Sequence, residues 1–196
     1  MRHILRATCF ATALVLAASA LPTTVVPRKS PEFTIVQASG KETVLSSFNG
    51  KVVVIEFFFL RSARCLRVAQ TLNRLYTDLG PRGFQPVGIV FGPGSDVQRV
   101  TYFAEDFKLT YPLGYSRPDK VDAYLAREPK EILNIPQVVV IDRAGVIRAQ
   151  SGGKGGDPAL ENENSLRTLI ETLLAEKASP ATPMQKPASR ASSPPR

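Results

Sequence analysis

The run Lys51–Leu60, KVVVIEFFFL, is the strongest constraint on what this chain can fold into. It is almost continuously apolar and rich in β-branched and aromatic residues, the pattern of a strand buried on both faces of a sheet. A strand covered on both sides needs two further layers, and the sequence supplies helices to build them. From Cys65 to Leu79 apolar residues recur at helical spacing (Leu66, Ala69, Leu72, Leu75, Tyr76), and Gly80-Pro81-Arg82-Gly83 stops that helix. Phe84–Phe91 reads as a second core strand.

Around this unit the signals keep alternating. Phe33–Val36 is a short strand, and helices are expected over Val97–Phe107 and Asp119–Ala126. Gln137–Asp142 and Val146–Gln150 form a hairpin about Arg143-Ala144-Gly145, and Leu160–Glu176 is a periodic terminal helix. The order describes an α/β fold, a mixed sheet sandwiched by helices, with a right-handed parallel crossover after the first core strand.

The ends are different in character. Residues 1–20 have a short basic start (Arg2, Arg6), an apolar stretch Ala7–Ala17 too short to span a bilayer comfortably, and the small residues Ala18-Ser19-Ala20. They read as a signal peptide cleaved after Ala20, the alternative being an uncleaved anchor. The expected location is therefore exported, periplasmic or secreted, with membrane contact only through an uncleaved signal. Residues 21–31 read as a linker and 32–177 as the domain. Residues 178–196 read as a disordered Pro/Ser-rich basic tail.

Of the net charge of +8, two positive charges lie in residues 1–20 and three in residues 178–196, neither of which holds an acid. The body shows no interleaving of basic and aromatic residues, which argues against a nucleic-acid partner. Cleavage would also remove Cys9 and the only histidine, His3, leaving Cys65 as the single cysteine. That excludes an internal disulfide and a Ser-His-Asp or Cys-His unit, and it argues against a protein-built metal site or a bound cofactor.

Chemistry concentrates between Glu56 and Cys65. A cysteine near a helix N-terminus faces free N–H groups and the positive end of the dipole, and Arg61, Arg64 and Arg67 add charge of the same sign. All of these stabilise a thiolate. Cys65 is thus either a reactive thiol or a small buried hydrophobe. Ser62 is placed to cap that helix or to donate its hydroxyl to a thiolate. Glu56, inside the apolar run, is either a buried acid with a raised pKa or a side chain reaching solvent or an arginine. Asn134-Ile135-Pro136-Gln137 puts a proline at the entry of a strand, with its isomer left open. The run Gly152-Gly153-Lys154-Gly155-Gly156 lacks phosphate-loop spacing and reads as a flexible loop.

With SFNGK before it, the stretch KVVVIEFFFLRSARCLRVAQTLNRLY resembles the thioredoxin-like redoxin proteins of the TlpA/ResA and AhpC/TSA kind. GFQPVGIV and IPQVVVIDRAGVIRAQ extend the likeness over roughly Pro31 to Lys177. The resemblance implies a thioredoxin-like three-layer sandwich. It puts Glu56 at the buried acid, Cys65 at the second, resolving cysteine and Pro136 at the cis-proline. It also puts Ser62 where the nucleophilic first cysteine belongs and Arg61 where a tryptophan is common, with Ala63-Arg64 between the two positions. Serine cannot attack a disulfide at neutral pH without a base.

Two functions follow as expectations. One is a binding or scaffolding module that takes an extended peptide or a thiol protein in the groove at Ile135 and Pro136. The other is a one-cysteine thiol oxidoreductase or peroxidase using Cys65, with Arg61, Ser62 and Arg64 as its activating shell. Peroxiredoxins also place Thr or Ser three residues before a single reactive cysteine, but Phe58 stands where their motif begins with proline.

Overall fold

The computed structural model describes residues 25–37, 39–92, 94–127, 131–152 and 156–176. The strands are β1 (Arg28–Lys29), β2 (Thr34–Gln37), β3 (Glu42–Val44), β4 (Val52–Phe58), β5 (Phe84–Val90), β6 (Leu113–Tyr115), β7 (Gln137–Ile141) and β8 (Val146–Gln150). The helices are α1 (Ala63–Leu79), α2 (Val97–Asp106), α3 (Pro118–Leu125) and α4 (Glu163–Ala175). The strands form one sheet in the order β1-β8-β7-β4-β5-β6-β2-β3. The β4–β5 and β5–β6 pairs are parallel, and the other pairs are antiparallel.

β4 lies inside the sheet, and every one of its seven residues is buried. Its alternate side chains feed two cores. Val52, Val54 and Phe58 face α1, α2 and α4, whereas Val53, Ile55 and Phe57 pack with Val121, Tyr124 and Leu125 of α3. Glu56 shares the face of Val54 and Phe58, beneath α1. This is the α/β three-layer sandwich expected from the sequence. The hairpin β7–β8 turns at Gly145, whose φ of 76° suits glycine.

Two expectations are corrected. Residues 25–31 are not a spacer. Arg28 and Lys29 pair with Ile147 and Val146 of β8, and the Arg28 guanidinium donates to the Tyr124 carbonyl (3.1 Å) and to Gln150 Oε1 (2.9 Å). The terminal helix does not start at Leu160. Pro158–Glu161 form a separate 3-10 turn, and the Asn162 side chain accepts from the N–H groups of Asn164 and Ser165 to begin α4. The short strands β3 and β6, with three residues each, complete the sheet and have too little periodicity to be visible in the sequence. The expected signal peptide, the whole of the tail and the centre of the glycine run lie outside the described residues. Among the described residues, no helix is long and apolar enough to cross a membrane.

Candidate functional site

β4 ends at Phe58, and the chain turns through Phe59–Arg61 into α1. Ser62 is the N-cap of α1: its backbone is extended (φ −110°, ψ 115°), and its side chain accepts from the Cys65 N–H at 3.3 Å. The serine thus satisfies one of the donors that a helix start leaves free. Cys65, one turn in, has no exposed surface and belongs to the core cluster of α1, α2 and α4. Burial pushes its thiol pKa up. Hydrogen bonds to the Ser62 side chain and the Phe59 backbone pull it down, and the charges of Glu56 and Glu161 push it up again. The net direction is upward. The sequence expectation that the helix start and the arginines would activate this thiol is corrected: burial is the largest influence on it, and it points upward.

The arginines do not gather around the sulfur. Arg64 reaches back to the 3-10 turn before α4 and holds Glu161 in a bidentate pair, Nε–Oε2 2.5 Å and Nη2–Oε1 2.5 Å. Arg61 is exposed and lines a cleft with Tyr102 and Phe103. Arg67 is exposed as well.

Glu56 is fully buried, and among the described residues neither carboxylate oxygen has a hydrogen-bond partner. Its neighbours across the sheet are Gly88 on β5 and Val138 on β7. Gly88 has no side chain, and the space above it is taken by Leu113, Phe58 and the Tyr111 ring. Such a setting strongly favours the neutral acid: burial, with the Glu161 charge second, raises the carboxyl pKa well above its ordinary value. Tyr111 is buried too, with its hydroxyl donating to the Ala69 carbonyl at 3.3 Å, and burial and the nearby Glu56 carboxyl push its pKa well up.

Phe57 pairs with Gln137, so the segment before β7 sits at the same end of the sheet as the turn into α1. There the Ile135–Pro136 peptide is cis, Pro136 is buried and Ile135 is half-buried against both cores. The Gln137 side chain donates to the Asn134 carbonyl, and the Ser151 Oγ accepts from Val138 N at 2.8 Å, which ties the start of β7 to the end of β8.

The structure therefore brings Glu56, Ser62, Cys65 and Arg64 into one region, with Ile135 and Pro136 at the same sheet end. It leaves Arg61 on the outer side. Sequence reasoning missed Glu161 and Tyr111. Glu161 lies in the polar run Glu161-Asn162-Glu163-Asn164, which marks a helix start and carries no sign of a partner 97 residues away.

A model of the AhpC/TSA family matches residues 26–150. The chain belongs to the AhpC/TSA family. Within it, the chain is 29% identical over 121 residues to thiol-disulfide oxidoreductase ResA of Geobacillus kaustophilus, covering 61% of this chain and 64% of that one. It is 31% identical over 121 residues to chloroplastic peroxiredoxin Q of Suaeda salsa, covering 60% and 55%. The chain thus spans less than two thirds of the length of these curated relatives. Among solved structures it is similar to a putative protein disulfide isomerase from Bacteroides thetaiotaomicron (TM-score 0.63, 26% identity, 78% of this chain and 91% of that one). It also shares the fold of a thiol:disulfide interchange protein from Chlorobium tepidum (TM-score 0.63, 21% identity, 77% and 99%). The fold of this AhpC/TSA member is therefore thioredoxin-like. Among its described residues no group of three or more His, Cys, Asp or Glu is placed to hold a metal ion.

Proposed function

We propose that this AhpC/TSA member is an exported thioredoxin-fold protein that has given up two-thiol disulfide exchange. It acts as a binding module for an extended segment of a partner, such as a thiol protein, laid along the edge at Ile135 and Pro136. The observation that carries the reading is the pair Ser62–Cys65. The outer position holds a hydroxyl occupied as a helix cap, and the thiol behind it is buried with its pKa raised. A disulfide needs a thiolate to attack it, and the outer position of this pair holds none. The half-buried Ile135 and, three residues earlier, Ile132 at 87% exposure offer apolar surface on the segment leading into β7 against which an extended partner segment could lie. Export rests on the residue pattern of positions 1–20.

The test is reduction of insulin disulfides by dithiothreitol. The wild-type chain is expected to add nothing to the rate, and Ser62→Cys, which restores two cysteines three apart, is expected to accelerate it. Acceleration by the wild-type chain would end the proposal. Binding is read separately as slowed amide exchange at Ile135 when a cysteine-containing extended peptide is added.

The similarity to peroxiredoxin Q favours a second reading, a one-cysteine peroxidase at Cys65. Burial and the raised thiol pKa weigh against it. Peroxide-dependent sulfenic acid at Cys65, seen by intact mass in the folded protein, would support it.

A further inference from the structure

Arg61 stands in the turn that leads from β4 into α1, and its exposed guanidinium has no hydrogen bond or ion pair among the described residues. It lines a cleft of about 670 Å³ between that turn and α2, in which Ile135 and Pro136 take no part. The volume is within the range of about 300–1,000 Å³ usual for small-ligand pockets. The apolar lining is aromatic, and each ring is held by another. Phe59 packs on Phe91 (ring centroids 4.8 Å apart), Phe103 on Phe58 (5.4 Å) and Phe107 on Phe103 (4.9 Å). Gly92 makes room for the Phe59 ring, since a Cβ there would lie 2.5 Å from it. Tyr102 of α2 adds a ring that is 57% exposed, with no partner for its hydroxyl among the described residues.

The charges on the cleft set the class of ligand. Arg99 also lines it but is engaged, by Asp96 at 3.4 Å and by the Gly94 carbonyl at 3.2 Å. The one acid in the lining is Asp106 at the end of α2, exposed and unpaired among the described residues. Two guanidiniums against one carboxylate, on a chain of net charge +8, favour a negative ligand over a positive one. Asp106 limits that preference to a single negative charge, which the planar fork of Arg61 can bind through two oxygens. We propose that this cleft is a binding site for a small aromatic anion, with its rings among Phe59, Tyr102 and Phe107 and its one charged group, a carboxylate or sulfonate, on Arg61. The inference goes beyond the binding-module reading and does not depend on it.

The experiment titrates the full chain with anilinonaphthalene sulfonate, an aromatic anion whose fluorescence rises in an apolar site. A second titration uses phenylnaphthylamine, the same ring system without the sulfonate. Thermal melting checks the folding of each variant. Wild type is expected to bind the sulfonate more tightly than the amine. Arg61→Gln should weaken the sulfonate about tenfold and leave the amine within about twofold of wild type. Arg67→Gln removes an equal charge from an exposed position outside the cleft and should change neither. Tyr102→Ala should weaken both probes about fivefold, because it removes ring contact alone.

Equal loss of both probes in Arg61→Gln would make the arginine a packing residue and overturn the anion's place. Equal weakening by Arg67→Gln would reduce the effect to general attraction, and it also overturns the proposal. Binding that ignores both Arg61→Gln and Tyr102→Ala lies in another cleft, such as the one between β2, β6 and α3, and overturns the site. So does a sulfonate titration without a saturable signal. Disulfide reduction and amide exchange at Ile135 are untouched by these outcomes, so the binding-module reading stands or falls separately.

Discussion

Replacing Glu56 by glutamine should stabilise the protein at neutral pH and do nothing at low pH. In the folded chain the carboxyl is fully buried with neither oxygen hydrogen-bonded, and its pKa stands well above the ordinary value. In the unfolded chain it ionises near pH 4.3. A raised folded pKa contributes stability that is fully present below the unfolded pKa and is lost as pH rises toward the folded one, because the unfolded state alone releases the proton. The loss is about 1.4 kcal/mol per pH unit, or about 2.7 kcal/mol between pH 5 and pH 7 while the folded acid stays protonated. Counted from pH 4, where the two proteins converge, the gap at pH 7 is about 3.5 kcal/mol, and at roughly 2–4 °C per kcal/mol for a domain of this size Glu56→Gln should melt roughly 7–14 °C above wild type. The two proteins should converge near pH 4. Other carboxylates cancel when variant and wild type are compared at each pH, so urea unfolding of both chains from pH 4 to pH 8 isolates this group. A difference in stability that is the same at pH 5 and pH 7 would falsify the reasoning, because it would mean that Glu56 titrates alike in both states.

Other substitutions have expected outcomes from the same geometry. Ser62→Ala removes the cap on the Cys65 N–H and should cost about 1 kcal/mol in urea unfolding, with Ser62→Asp close to wild type. Gly114→Ala would place a Cβ 2.8 Å from the Val36 carbonyl oxygen and 2.8 Å from Ile35 Cγ2, so the β2–β6 pairing must shift. A loss of about 1–3 kcal/mol is expected, and an unchanged melting temperature would contradict it. Leu160→Ala empties a site that is 2% exposed, and it should cost about 2–5 kcal/mol and speed Cys65 labelling by loosening the turn that carries Glu161.

The residue pattern by itself determined the centre of this protein. A seven-residue strand with no polar position but Glu56 is stable only inside a covered sheet, so β4, the α1 that follows and the parallel β5 were legible from hydrophobic periodicity alone. So were Ser62 as a helix cap and the β7–β8 hairpin, since caps and turns are decided by the residues on the spot. The ends of the sheet were not. Arg28–Lys29 and Leu113–Tyr115 are strands because β8 and β5 offer them unpaired backbone, and two or three residues hold no pattern of their own. The chemistry of the site divides along the same line. The sequence placed Ser62, Cys65 and the arginines together, but the sign of the thiol shift depended on how much water the fold removed and on which acid reached Arg64. Desolvation and a contact across 97 residues are sums over the whole packed molecule, so only the tertiary structure could decide them.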